Sequence, residues 1–278
     1  MNKFHPIFLL ALATACLAPT APAQQSAYEQ FRAHNAAMTA VQPTWMSPLI
    51  QSDARLGQGM RLSVSNLSFP GAHPILYGNN HGISVVANRR YQFDLAPPTF
   101  FRNHSSVYKD GFGNAGAQVK YRIVSGNAEH GNFALTAILY HGFGPRAYQN
   151  GFFSPIYVPS LAAGRGFGRF AVIGTLGGVL PTKNIYEQGR GIEWNMTAQV
   201  HASPNLWFDV ENNALYLFAG PVDGKSQNFI TPAAFYRVPR KNWAPMHTTL
   251  IVDGGMQIAT SRFHYYNHNL ITEIRVLF

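Results

Sequence analysis

The chain has 278 residues, of which only 12% are charged and 13% are aromatic, and its formal net charge is +9. Typical soluble domains contain roughly 25% charged residues, so this composition disfavours an ordinary soluble domain. Lysine and arginine never form a block of about five or more, which argues against a nucleic-acid partner, although the positive charge favours anionic solutes or lipopolysaccharide phosphates.

The N-terminus has the three parts of a secretory signal. Lys3 supplies positive charge, residues 7–18 form an apolar run that is too short to span a membrane, and residues 21–23 (Ala-Pro-Ala) give a small-x-small cleavage pattern. We therefore predict a cleaved signal peptide at residues 1–23 and an exported protein.

The alternative is a lipoprotein signal that is acylated at Cys16. Such signals usually carry leucine three places upstream, where this chain has Ala13. Cys16 is the only cysteine of the chain, so the exported part would have no thiol for disulfides, catalysis or zinc binding.

Residues 24–55 precede the first clear strand and are predicted to form a short N-terminal periplasmic segment. Within residues 26–41, the only bulky apolar side chains are Tyr28, Phe31 and Met38. This weak helical face indicates either a short helix or a disordered lead.

Alternating apolar and polar residues predict β-strands through the rest of the chain, because successive side chains of a strand point to opposite faces. The clearest segment is 191–202, where Trp194 and Met196 alternate with Glu193 and Gln199 over a length that suits a tilted bilayer crossing. The other segments are 60–67, 82–95, 117–123, 132–142, 152–163, 168–180, 206–211, 228–238, 250–258 and 270–278.

These eleven segments predict an all-β fold with a single antiparallel transmembrane β-barrel over residues 56–278 in the outer membrane. Closed barrels of this class have an even number of strands. We therefore expect twelve strands, with the twelfth near residues 45–52, and ten strands as the alternative. A secreted β-sandwich, which would also be glycine-rich and alternating, is the rival fold.

The last segment resembles the closing strand of bacterial outer-membrane barrels. Leu270, Ile274, Val276 and Phe278 share one nearly apolar face, and the chain ends on an aromatic residue. The resemblance implies that these residues are the signal that the barrel-assembly machinery reads.

The polar faces of the strands would line one narrow lumen. Two interpretations stay open: a packed network of ion pairs that closes the barrel, since buried charges need partners, and a charged constriction that selects solutes. The candidate lumen-facing residues are Lys120, Arg122, Glu193, Gln199, His201, Asp209, Glu211, Glu273 and Arg275.

Short motifs give the chain a resemblance to one family. Residues 110–114 read D-G-F-G-N, residues 119–122 read V-K-Y-R, and residues 180–182 read L-P-T. In these positions the chain resembles the outer-membrane barrels of the MetA-pathway phenol-degradation family of proposed transporters. Asn114 replaces the usual aspartate of the turn, and Lys183 replaces the glycine of L-P-T-G. The resemblance implies a small-solute pore or a barrel of unknown role, and it does not imply that phenol is a ligand.

We therefore expect a narrow pore or transporter for small solutes, with a structural or surface-binding barrel as the alternative. A lipid-hydrolysing barrel enzyme would need a Ser–His pair, and the chain has no G-x-S-x-G elbow, so no catalytic residue is predicted. His264 and His268 have no carboxylate nearby, so neither a metal nor a cofactor is predicted. Expected partners are outer-membrane lipid, lipopolysaccharide, the assembly machinery and an unidentified small solute.

Overall fold

The computed structural model describes residues 22–69, 72–78, 82–105, 108–144, 150, 154–183, 189–239 and 248–278. The predicted signal peptide lies outside these residues, apart from its last two positions. The chain divides after Ala37, and the barrel belongs to the second unit, Met38–Phe278. Among the described residues, no helix combines the length and the apolarity that a membrane crossing requires.

The described part of the chain contains one α-helix, one short 3₁₀ turn and fifteen β segments. The helix, α1, covers Pro22–Ala40, so of the two options for residues 26–41 the structure has the helix. The 3₁₀ turn is Ala128–His130. The β segments are β1 (Gly59–Ser68), β2 (Ile75–Tyr77), β3 (Gly82–Val86), β4 (Tyr91–Ala96), β5 (Phe100–Arg102), β6 (Gly111–Phe112), β7 (Ala115–Gly126), β8 (Phe133–Phe143), β9 (Ile156–Phe167), β10 (Phe170–Pro181), β11 (Arg190–Ser203), β12 (Leu206–Phe218), β13 (Ser226–Arg237), β14 (Thr249–Ala259) and β15 (His268–Leu277).

The sheet closes on itself. β1 pairs antiparallel with β15 over its full length, from Gly59 opposite Leu277 to Ser68 opposite His268. The remaining neighbours are also antiparallel, and the result is a closed barrel of twelve strands. The predicted all-β fold and strand number are therefore confirmed, and the rival β-sandwich is not what the chain forms.

Fifteen β segments make twelve strands because three strands are interrupted. β1 pairs with β2 through residues 64–66 and with β3 through residues 59–61, so β2 and β3 are two parts of one strand. In the same way, β4 and β5 are two parts of the next strand, and β6 and β7 are two parts of the strand after that. Gly78 lies at the first break with a φ of 87°, which glycine adopts without steric cost.

The predicted position of the twelfth strand is wrong. Residues 45–52 pair with no strand of the described sheet, and Pro48 in their middle lacks the N–H that a central strand donates to its neighbour. The missing strand lies inside the predicted segment 82–95, which is a hairpin of β3 and β4.

The barrel is apolar outside, and its inner face carries both polar and apolar residues. On β11, Trp194 and Met196 point outward and are 43% and 58% exposed, whereas Thr197 and Gln199 point inward and are almost fully buried. A soluble protein rarely exposes such a continuous apolar surface, but a lipid-facing barrel requires it. The four residues of the predicted assembly signal lie on this outer face, where Leu270, Ile274 and Phe278 are exposed and Val276 is half-buried.

Candidate functional site

The lumen contains part of the chain itself. Residues 42–58, here called the lumen segment, run between α1 and β1, and most of their side chains are buried. Trp45 and Ala54 pack against Ile138 of β8 and Ile173 of β10. A barrel of about eight strands is filled by side chains alone, so a barrel of twelve strands has room for an additional segment.

The lumen segment also contacts the opposite wall. Met46 and Leu49 pack in a second apolar cluster with Trp207 of β12, Phe235 of β13 and Ile251 of β14. The segment thus bridges two sides of the barrel through two separate clusters. Residues 24–55 are predicted from the sequence to form a periplasmic segment, but residues 42–55 lie inside the barrel, where their apolar side chains pack against the wall.

Glu211 on β12 binds the backbone of the lumen segment at three consecutive residues. Its carboxylate accepts hydrogen bonds from the backbone N–H groups of Leu49 at 2.5 Å, Ile50 at 3.1 Å and Gln51 at 3.0 Å. Glu211 is fully buried. Successive N–H groups that converge on an anion form a nest, which is a strong and geometrically specific contact.

Glutamine side chains make a second set of contacts. Gln199 of β11 accepts a hydrogen bond from the backbone N–H of Met46 at 2.6 Å and donates one to the backbone carbonyl of Met46 at 3.1 Å. Gln51 of the lumen segment donates to the hydroxyl of Thr197 at 2.6 Å. These bonds satisfy backbone groups that would otherwise be buried without partners.

Asp53 links the two ends of a loop in the lumen segment. Its two carboxylate oxygens accept hydrogen bonds from the Trp45 indole at 3.0 Å, the Ser47 hydroxyl at 2.5 Å and the Arg55 side chain at 2.9 Å. Burial alone would raise the pKa of Asp53, but the charges of Arg55 and Lys120 and these hydrogen bonds outweigh it, so the pKa lies below its usual value. Asp53 is therefore charged at neutral pH.

Two further wall residues donate hydrogen bonds to backbone carbonyl groups of the lumen segment. The ammonium of Lys120 on β7 donates to the backbone carbonyl of Asp53 at 3.2 Å, and the hydroxyl of Thr136 on β8 donates to that of Ala54 at 2.5 Å.

Arg275 joins the wall to the lumen segment on the other side. Its guanidinium donates to the backbone carbonyls of Ser47 at 2.7 Å and Pro48 at 3.2 Å. It also forms ion pairs with Asp253 at 2.8 Å and with Glu273 at 2.6 Å. A buried arginine needs such partners on every side, since an unpaired buried charge is costly.

The predicted lumen-facing residues divide into three groups. Lys120, Gln199, Glu211 and Arg275 bind the lumen segment, and Glu273 pairs with Arg275. His201 stacks on Trp207 with 4.2 Å between ring centres. The remaining three make no hydrogen bond to the lumen segment within the described chain: Arg122 and Asp209, which are buried, and Glu193, which is half-buried.

Two of the histidines contact backbone carbonyls and an asparagine side chain. Nδ1 of His141 contacts the backbone carbonyl of Ile156 at 3.0 Å, and the two ring nitrogens of His264 contact the Ser261 carbonyl and the Asn267 side chain. Among the described residues, no three side chains of the histidine, cysteine, aspartate and glutamate types converge as metal ligands would.

A cavity of about 180 Å³ with a mixed polar and apolar lining remains between the lumen segment and the wall formed by β1, β3, β4 and β7. Residues from both sides line it, including Arg55 of the lumen segment and Arg61, Gln92 and Lys120 of the wall. The lumen is therefore filled on the β8–β15 side and partly empty on the side of the short strands.

Sequence comparison finds no family model and no curated protein that matches the chain. Two solved structures share its architecture. The chain covers 98% of the NanC porin with 79% of its own length, at 8% sequence identity and a TM-score of 0.53. It covers 100% of an outer-membrane channel from Pseudomonas putida F1 with 84% of its own length, at 12% identity and a TM-score of 0.54. At these identities the likeness establishes the fold, and the chain has the barrel fold of these two proteins.

Proposed function

We propose that the protein is an outer-membrane channel for small solutes whose lumen is closed by the lumen segment. Its apolar exterior suits a bilayer, and the polar side chains of its inner face suit the passage of water-soluble molecules. The likeness to two barrels described as a porin and an outer-membrane channel is consistent with this role.

One observation carries the proposal: the lumen segment fills the barrel without belonging to its wall. Side chains such as Glu211, Gln199 and Arg275 hold it by hydrogen bonds to its backbone. The pairing of β1 with β15 closes the sheet independently of it. Displacement of the segment would therefore open the lumen and leave the barrel intact.

A structural or surface-binding barrel with a packed lumen is the second candidate. The two apolar clusters around Trp45 and Leu49 favour it, because burial of large apolar side chains stabilises the lumen segment in its position inside the barrel. In that case the segment would be a fixed part of the core and would never leave. A lipid-hydrolysing enzyme is a weaker candidate, since the histidine contacts described above include no serine hydroxyl.

The finer assignments rest on the sequence. The resemblance to the MetA-pathway phenol-degradation family rests on the motifs at residues 110–114, 119–122 and 180–182. They contain β6 and the turn into β7, the middle of β7, and the end of β10. Signal cleavage after Ala23, assembly through the face that contains Phe278, and contact with lipopolysaccharide are likewise part of the proposal.

Bilayer recording tests the function of the unmodified protein. In detergent, we expect β-type circular dichroism and a heat-modifiable gel mobility; in planar bilayers, we expect a small conductance with brief openings and no lipid hydrolysis. Channels form when a polar lumen crosses the membrane, and a seated segment keeps most of them closed. Absence of conductance under voltage and mild denaturant would favour the structural barrel. Recovery of the soluble protein without detergent would contradict the outer-membrane location.

A further inference from the structure

Three cationic side chains surround the cavity beside the lumen segment. Arg61 comes from β1, Lys120 from β7 and Arg55 from the lumen segment itself. The side chains of Arg61 and Arg55 are 28% and 18% exposed, so both reach free space inside the barrel.

These cations retain hydrogen-bond donors that the described chain does not use. Arg61 has one ionic contact, with Glu273 at 3.8 Å, which is longer than a hydrogen bond. Lys120 donates one of its three protons, to the backbone carbonyl of Asp53. Arg55 uses Nε for Asp53 and Nη2 for Ser47.

The cavity lining also contains two carboxylates, Asp53 and Asp94. Both oxygens of Asp53 already accept two hydrogen bonds each, from Trp45, Ser47 and Arg55. Asp94 accepts a hydrogen bond from Gln92 at 2.6 Å, and its second oxygen is buried without a hydrogen-bond partner in the described chain. The lining thus holds three cations and two carboxylates, and Glu273, which lies outside the lining, supplies a further carboxylate for Arg61.

The remaining lining is mixed. Met60, Leu95 and Leu277 supply apolar surface, and Gln118 and Tyr140 supply polar groups. A cavity of about 150 Å³ holds benzene in a well-studied engineered protein, so a cavity of about 180 Å³ has room for a small organic molecule.

We propose that this cavity is a binding site for a small organic monocarboxylate, held by Arg61 and Lys120 of the wall and by Arg55 of the lumen segment. This inference rests on the proposed channel function and names the solute class that the lumen receives. One carboxylate would accept hydrogen bonds from the donors that remain on these cations, whereas a second carboxylate would meet Asp94. Because Arg55 also binds Asp53, a bound carboxylate would connect the solute directly to the segment that closes the lumen.

Calorimetry on the intact protein in detergent tests the site with a matched pair of probes. Benzoate and benzamide have nearly the same shape and differ in charge. We expect benzoate to bind at least about tenfold more tightly than benzamide, because charge-assisted hydrogen bonds are roughly twice as strong as neutral ones. Arg61→Gln should reduce benzoate binding to the level of benzamide, and Arg61→Lys should restore part of it.

Arg90→Gln is the control variant. Arg90 lies in the exposed turn between β3 and β4, away from the cavity, and its side chain contacts the Tyr121 hydroxyl. The Arg90→Gln variant should bind benzoate as tightly as the wild type does. Heat-modifiable gel mobility of each variant verifies that the barrel is folded.

Equal binding of the two probes, or full benzoate binding by folded Arg61→Gln, would overturn the site. Conductance without carboxylate binding would support the proposed channel function and contradict the proposed binding site. Carboxylate binding in a barrel that never conducts would support the proposed binding site and contradict the proposed channel function.

Discussion

Replacement of residues 43–56 by a flexible glycine-serine linker of equal length should turn a nearly closed barrel into an open channel. The change removes the buried side chains of Trp45, Met46, Leu49 and Ala54 from the lumen and leaves Gly57 and Gln58 in front of β1. Side chains alone do not fill a barrel of twelve strands. We expect the single-channel conductance to rise at least about tenfold, because ion flow follows the width and wetting of the narrowest section.

The matched control is a glycine-serine replacement of residues 27–36 in α1, which leaves the lumen segment unchanged. This variant should conduct as the wild type does. The barrel of the lumen variant should stay folded, because the sheet closes through β1 and β15 and water can solvate the wall residues that the segment releases. A folded lumen variant with wild-type conductance would show that something else closes the barrel.

Glu211→Gln should release the lumen segment without altering the wall. The carboxylate accepts three backbone N–H groups, whereas an amide has one oxygen and turns an NH₂ group toward the same donors. Hydrogen bonds to a charged group contribute about 1.5–3 kcal/mol each. A net loss of about 2 kcal/mol would raise the open fraction about 30-fold.

Hydrogen exchange of the peptide that contains residues 49–51 measures this release directly. Exchange should be faster in Glu211→Gln, and bilayer openings should be more frequent. Glu193→Gln is the matched control, because Glu193 also faces the lumen but makes no hydrogen bond to the lumen segment within the described chain. Equal exchange in the two variants would mean that the nest around Glu211 does not hold the segment.

The fold can be predicted from the sequence because lipid-facing and lumen-facing residues alternate along each barrel strand. Trp194 and Met196 face outward and Gln199 faces inward, and their order alone determines which face is which. The closing strand was equally clear, since β15 has the same alternation and pairs with β1 along its full length.

The hairpin of β3 and β4 was missed because its turn carries no glycine or proline. The side chain of Asn88 forms the turn instead, by accepting hydrogen bonds from the backbone N–H groups of Arg90 at 2.8 Å and Tyr91 at 3.0 Å. Asparagine followed by two arginines is a weak turn signal in a sequence, although the structure of the turn is an ordinary one.

The lumen segment could not be predicted because its partners are remote in the chain. Leu49 meets Glu211, and Ser47 meets Arg275, more than 150 residues away in each case. The polar residues Lys120, Glu211 and Arg275 were recognised as lumen candidates, but they were expected to pair with one another or to face a solute. Much of their hydrogen bonding goes instead to the backbone of residues 47–53, whose side chains carry no sign of that contact.

A reversible cross-link between the lumen segment and the wall tests the central claim most directly. Ala54 and Thr136 are both fully buried and are joined by the 2.5 Å hydrogen bond, and the only native cysteine, Cys16, lies in the predicted signal peptide. The double variant Ala54→Cys/Thr136→Cys should form a disulfide on oxidation. In the same bilayer, under mild denaturant, the oxidised protein should show no openings, and a reductant should restore openings like those of an Ala54→Ser/Thr136→Ser control. Equal conductance of the disulfide-linked protein before and after reduction would contradict a lumen closed by its own segment.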